Sequence, residues 1–125
     1  MKIIIDTNFF LTCMQRKIDF ISLSNELFDE EIEFIVPKEV IEELEVISER
    51  KGEKTIDKES AKVALKFIKK MKINVILLKT KNVDDGLMSY VNKNNVILAT
   101  MDRGLKKRVS GKILSVKTGK MLEII

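Results

Sequence analysis

Four acids in this sequence, Asp6, Glu43, Asp84 and Asp102, fall at or shortly beyond the ends of apolar runs. Asp6 closes Ile3-Ile4-Ile5, and Asp102 follows the run 96–100 after a single residue. Glu43 and Asp84 come a short way past the runs 32–36 and 74–78. Carboxylates brought together repel one another and shift toward protonation unless a cation neutralises them. The cation that suits an all-oxygen set is Mg²⁺ or Mn²⁺, as one ion or two, and such ions activate water and stabilise displacement at a phosphodiester. Asp6, Asp84 and Asp102 also have an ordinary alternative, as the cap of a starting helix, and Glu43 has one as a solvated flank of its helix. The elements around them decide between the two.

The remaining composition narrows the chemistry further. There is no histidine, so no Ser-His or Cys-His catalytic pair can be built, nor the imidazole ligands of catalytic zinc. The single cysteine, Cys13, forms no internal disulfide and reads as a small buried hydrophobe. No glycine-rich phosphate loop follows any strand, which argues against a nucleotide-binding fold. A receiver-like phosphoacceptor needs adjacent acids at the first strand, and Asp6 stands alone there.

Positioning four acids requires a specific arrangement of elements. The β-branched run before Asp6 reads as a strand buried on both faces, the mark of a parallel, helix-covered sheet. Helices are expected over 8–15 and 20–29, a second strand over 32–36, and a helix over 37–49 opened by Pro37. On that helix Glu43 lies beside the line of Val40, Leu44 and Ile47, while Glu42 points away. A loop is expected over 50–57, then a helix over 58–72 capped by Asp57, with Ala61, Val63, Ala64, Phe67, Ile68 and Met71 toward the core. The third strand, 74–78, leads to a helix over 84–92, on which Asp84 shares a face with Leu87, Met88 and Val91 while Asp85 is turned away. A buried strand over 96–100, a basic helix over 103–109, a fifth strand over 113–116 and a short strand or tail over 121–124 complete the chain. This alternation predicts one domain over residues 1–125, an α/β fold built as a three-layer α/β/α sandwich around a mainly parallel sheet of about five strands. In such a sheet every strand-to-helix junction opens on one edge, so the four acids converge on it.

Charge is divided along the chain. Residues 1–59 hold 15 of the 19 acids, and residues 60–125 hold 15 of the 23 bases. Asp84 and Asp102 are two of only four acids in that basic half. Beside the acid cluster, Arg103, Lys106, Lys107 and Arg108 are placed to hold the phosphates flanking a scissile one. No apolar run is long enough to cross a membrane and no signal peptide is apparent, so a cytoplasmic protein is expected.

The sequence around each acid resembles the PIN-domain nucleases. Ile3-Ile4-Ile5-Asp6-Thr7-Asn8 is similar to their opening motif, and Val36 to Leu44 to the second, whose acid precedes the leucine. Asp84-Asp85-Gly86-Leu87 is similar to the third motif and Val96 to Asp102 to the fourth. The resemblance implies a metal-dependent endoribonuclease in which Asp6, Glu43, Asp84 and Asp102 bind Mg²⁺ or Mn²⁺, with Asn8 and Thr100 orienting them through hydrogen bonds. Met101 departs from the asparagine frequent at that place. The run Thr100 to Arg108 resembles archaeal PIN proteins akin to the ribosomal-RNA-processing nucleases of the small-subunit processome. VapC toxins of toxin–antitoxin pairs carry the same acids, and a non-catalytic module that binds RNA or protein is the third possibility. The partners implied are RNA, with a homodimer, an antitoxin or a ribosome-assembly factor left open.

Overall fold

The computed structural model describes residues 1–50 and 55–125. The elements run β1 (Lys2–Ile5), α1 (Thr7–Gln15), α2 (Phe20–Leu27), β2 (Glu33–Pro37), α3 (Lys38–Glu49), α4 (Thr55–Lys70), β3 (Asn74–Ile76), α5 (Val83–Asn94), β4 (Ile97–Ala99), α6 (Arg103–Arg108), β5 (Ile113–Val116) and β6 (Leu122–Ile124). The sheet order is β3-β2-β1-β4-β5-β6. β1 to β5 are mutually parallel and β6 returns antiparallel to β5, so the segment expected as a short strand or tail over 121–124 is a strand and the sheet has six.

The three isoleucines of β1 divide between two cores. Ile3 and Ile5 join Phe9, Phe10, Phe20, Val40, Leu44 and Ala64 beneath α1 to α4. Ile4 points the other way, to Leu87, Val91, Leu98 and Leu105 beneath α5 and α6. That alternation is what an uninterrupted apolar strand demands of a three-layer sandwich. Phe20 is the hub of the first core, with edge-to-face contacts to Phe9, Phe10 and Phe34 at 5.6, 6.0 and 5.5 Å and a tilted contact to Phe67 at 5.3 Å.

Some expectations give way to packing. α4 already begins at Thr55, so Asp57 lies in its first turn rather than capping it. The expected loop over 50–57 falls partly on residues 51–54, outside the described residues. Val63 and Met71, expected in the core, are exposed. The buried stripe of α4 is Ser60, Ala61, Ala64 and Ile68, at helical spacing, and Val63 lies off it, while Met71 falls beyond the helix. β3 is the sheet's edge, three residues long, with Val75 exposed.

Connection order places the opening of the sheet. From β1 the chain moves outward to β2 and β3 through α1 to α4 on one face, then crosses back to β4 and β5 through α5 and α6 on the other. The direction reverses between β1 and β4, and ligands in open α/β sheets bind at the carboxyl ends of the strands flanking such a reversal. Asp6 follows β1 and Asp102 follows β4.

Candidate active site

Asp6 sits at the bottom of this crevice, 5% exposed. Its Oδ1 accepts the Thr7 amide at 2.8 Å, making it the N-cap of α1, and its Oδ2 accepts the Thr100 hydroxyl at 3.0 Å. The cap and the site are therefore the same residue. Burial pushes its carboxyl up to about 6, against the two hydrogen bonds that oppose the shift, and the charges of Asp84 and Glu43 add to it. Both acids are thus within electrostatic reach of Asp6 from two different helices.

Glu43, half-buried on α3, is held through Oε2 by the Thr7 hydroxyl at 2.9 Å. Thr7 hence serves two acids, one through its amide and one through its hydroxyl. Asp84 is exposed in the first turn of α5, a helix that begins at Val83 with Asn82 as its cap. The neighbouring Asp85 reaches away to Arg108, with a 2.7 Å ion pair that ties α5 to α6. Asp102 caps α6: its Oδ1 accepts Gly104 and Leu105 amides at 2.7 and 3.3 Å.

Thr100 joins these segments. Its hydroxyl donates its one proton toward Asp6 at 3.0 Å, with Asn8 Oδ1 at 3.3 Å as the longer alternative, and it accepts the Asp102 amide at 3.1 Å. Asn8 Oδ1 accepts the Met101 amide at 2.9 Å, so Asn8 holds the backbone between two acids rather than touching a carboxylate. Met101 turns its thioether onto β5, where Sδ accepts the Val116 amide at 3.4 Å and the Ser115 hydroxyl at 3.5 Å. Methionine at this place closes the gap between β4 and β5.

Two tying residues gave no signal of their own in the sequence. Glu39 accepts the Leu78 amide at 3.2 Å and the Lys79 amide at 3.0 Å, which fixes the segment leading into α5. Gly86 lets that segment lie against α5, since a Cβ there would clash with Thr80 Cγ2. Of the four bases of α6, Arg108 is engaged by Asp85, and Lys106 donates to the Ser115 hydroxyl at 2.8 Å. Arg103 and Lys107 are exposed, without an ion-pair partner among the described residues.

All four acids thus follow the carboxyl ends of parallel strands. Among the described residues no three of them stand close enough to enclose one cation. The set suits a hard divalent cation by donor type, and by charge, because such an ion offsets both the burial of Asp6 and the repulsion of its neighbours. It is not already closed around one.

Comparison with known proteins gives a consistent picture. The family described as "PIN like domain" matches residues 3–118. Ribonuclease VapC4 of Methanocaldococcus jannaschii is 29% identical over 109 residues, covering 86% of this chain and 82% of its own. The PIN domain endonuclease Utp24 superposes with a TM-score of 0.79 at 26% identity, over 98% of this chain and 90% of that one. VapBC2 from Rickettsia felis, solved bound to a DNA fragment from its promoter, shares the fold at a TM-score of 0.63 and 16% identity, over 94% of this chain and 100% of that one.

Proposed function

Because the chain belongs to the PIN-like domain family, we propose that it is a divalent-metal-dependent endoribonuclease acting at the carboxyl edge of its sheet. One observation carries the reading above the others: a buried carboxylate at the reversal point of the sheet, with two further acids bearing on it from separate helices. Asp6, Glu43, Asp84 and Asp102 would hold Mg²⁺ or Mn²⁺. A bound ion of this kind polarises phosphoryl oxygens and lowers the pKa of water. The chain's own residues do the positioning. Thr7 and Thr100 fix the two oxygens of Asp6, Thr7 also orients Glu43, and Asn8 holds the 100–102 backbone at the crevice. Arg103 and Lys107 are the bases of α6 free to meet flanking phosphates, and Lys106 and Arg108 do so only by leaving Ser115 and Asp85.

Likeness to the PIN domain endonuclease Utp24 along nearly the whole chain supports an endonuclease, and the resemblance of the run Thr100 to Arg108 to ribosomal-RNA-processing PIN proteins makes ribosomal RNA the first substrate to try. Likeness to VapC4 supports the second reading, a toxin ribonuclease with an antitoxin partner. The open arrangement of the acids favours a third, a non-catalytic module that binds RNA or protein. Incubating RNA with wild type and with Asp6→Asn in Mn²⁺ or Mg²⁺ separates them. Metal-stimulated cleavage by wild type alone is expected; no cleavage by either protein, with RNA still bound, would establish the non-catalytic module. Growth arrest on expression of wild type but not of Asp6→Asn would point to the toxin.

A further inference from the structure

The carboxyl edge of the sheet is not uniform in charge. Over β2 and β3 it opens into a cleft of about 340 Å³ whose walls carry Glu39, Glu42 and Glu43 together with Arg50 and Lys81. On the opposite side, past β4, the chain leaves β5 into the turn 117–121, which stands on the same edge because β5 is parallel to β1 and β4. There a cavity of about 500 Å³ is lined by Arg16, Met101, Val116, Lys117, Thr118 and Gly119, with no carboxylate in its wall. Arg16 comes from the end of α1, and its guanidinium donates to the Gly119 carbonyl at 3.5 Å, so the cation lies over the turn. Gly119, at φ +82°, supplies the left-handed backbone the turn needs. Among the described residues neither Arg16 nor Lys117 has a carboxylate partner. Met101 is the wall shared with the acids: its amide is held by Asn8, its neighbours are Thr100 and Asp102, and its side chain packs on the end of β5.

We infer that this cavity is a subsite for the nucleotide next to the scissile phosphodiester of single-stranded RNA, with Arg16 and Lys117 meeting its phosphate and Met101 and Val116 its apolar face. The inference rests on the reading of the acid edge as a ribonuclease site. Two unpaired cations around a concavity, one residue away from an acid site, are complementary to a polyanion and repel a second basic surface. The cleft on the other side is of mixed charge, with Arg50 and Lys81 beside its three glutamates, so the path is argued from the cavity cations: the strand crosses the crevice toward β5 and β6. The cavity volume lies in the range of ordinary ligand sites and is large enough for one nucleotide.

The test measures binding and turnover separately. A fluorescent oligouridylate of about twelve nucleotides, within the usual span of a single-strand site, is titrated onto Asp6→Asn protein, with and without Arg16→Gln and Lys117→Gln. Lys69→Gln with Lys70→Gln removes the same charge from α4, at the opposite edge of the sheet, and serves as the control. The cavity pair is expected to weaken binding about tenfold and to lower the slope of log affinity against log salt by about one, while the control pair changes affinity less than twofold. In the background with Asp6 intact, the cavity pair is expected to raise KM with kcat little changed. Equal affinity in the cavity and control pairs would overturn the subsite. If wild type cleaves and the cavity pair leaves KM unchanged, the subsite fails and the nuclease reading stands. If wild type never cleaves and the cavity pair still loses RNA, the nuclease reading fails and the subsite stands as a binding site. Circular dichroism confirms that each variant is folded, and Lys117→Arg, which keeps the charge, is expected to restore affinity.

Discussion

A carboxyl that must ionise to hold a metal is placed where ionisation is disfavoured, and this conflict at Asp6 has a measurable cost. Its folded value is raised from 3.8 to about 6, so its contribution to stability is fully present below about pH 4 and is lost as pH rises through 6. Asp6→Asn, which keeps an acceptor for the Thr7 amide and turns an amide toward the Thr100 hydroxyl, removes that loss. Without metal, the variant is expected to be more stable than wild type at pH 7.5 by up to roughly 3 kcal/mol, at about 1.4 kcal/mol for each pH unit separating the folded and unfolded values, and level with it at pH 4. Thermal melts at the two pH values check this. A higher melting point that brings loss of cleavage is the pattern of a site that trades stability for function. Mn²⁺ is expected to raise the melting point of wild type at pH 7.5 and to leave that of Asp6→Asn nearly unchanged.

At the scale of elements, the acids depend on a few side chains that join segments far apart in sequence. Gly86→Ala drives a methyl group into Thr80 and should cost about 1–3 kcal/mol in chemical denaturation; adding Thr80→Ser removes the offending methyl and is expected to return much of it. Glu39 acts with the opposite sign to Asp6. Against a desolvation that raises it, its own backbone amide and those of Leu78 and Lys79 hold its carboxyl below its ordinary value of 4.5, so it stabilises above that pH and the benefit fades as pH falls through the lowered value. Glu39→Gln should therefore lower the melting point at pH 7 and matter less at pH 3. The four acids and the parallel sandwich were legible because each acid follows an apolar run, and run order alone assigns strand ends to one edge. Of the ties, Thr100 to Asp6 was implied by the family resemblance and is present at 3.0 Å. Thr7 to Glu43 and Glu39 to Leu78 were not legible: they join residues 36 and 39 positions apart, and such pairs follow from register and rotamer, which periodicity does not encode. The exposure of Val63 escaped for a related reason: apolar type marks candidates for the core, and the facing elements choose among them. Arg108 reads as a phosphate contact in sequence but ties α6 to α5 in the fold.

Across the molecule, the central position of β1 links everything described above. It pairs with β2 on one side and β4 on the other, and its three isoleucines serve both cores. No part of either core can loosen around β1 without the other. Amides of Ile4 and Ile5 are accordingly expected to exchange with solvent only through global unfolding, whereas those of the edge strand β3 exchange by local opening. Native-state hydrogen exchange at several denaturant concentrations would reveal this as two classes of amide, and early exchange at Ile4 or Ile5 would contradict it. The floor beneath Asp6 is then the part of the protein least able to melt. Control over such a site is then expected at the helices that carry Glu43, Asp84 and Asp102, or from a partner or an RNA at the mouth of the crevice, because the strand that leads to Asp6 opens only when both cores open.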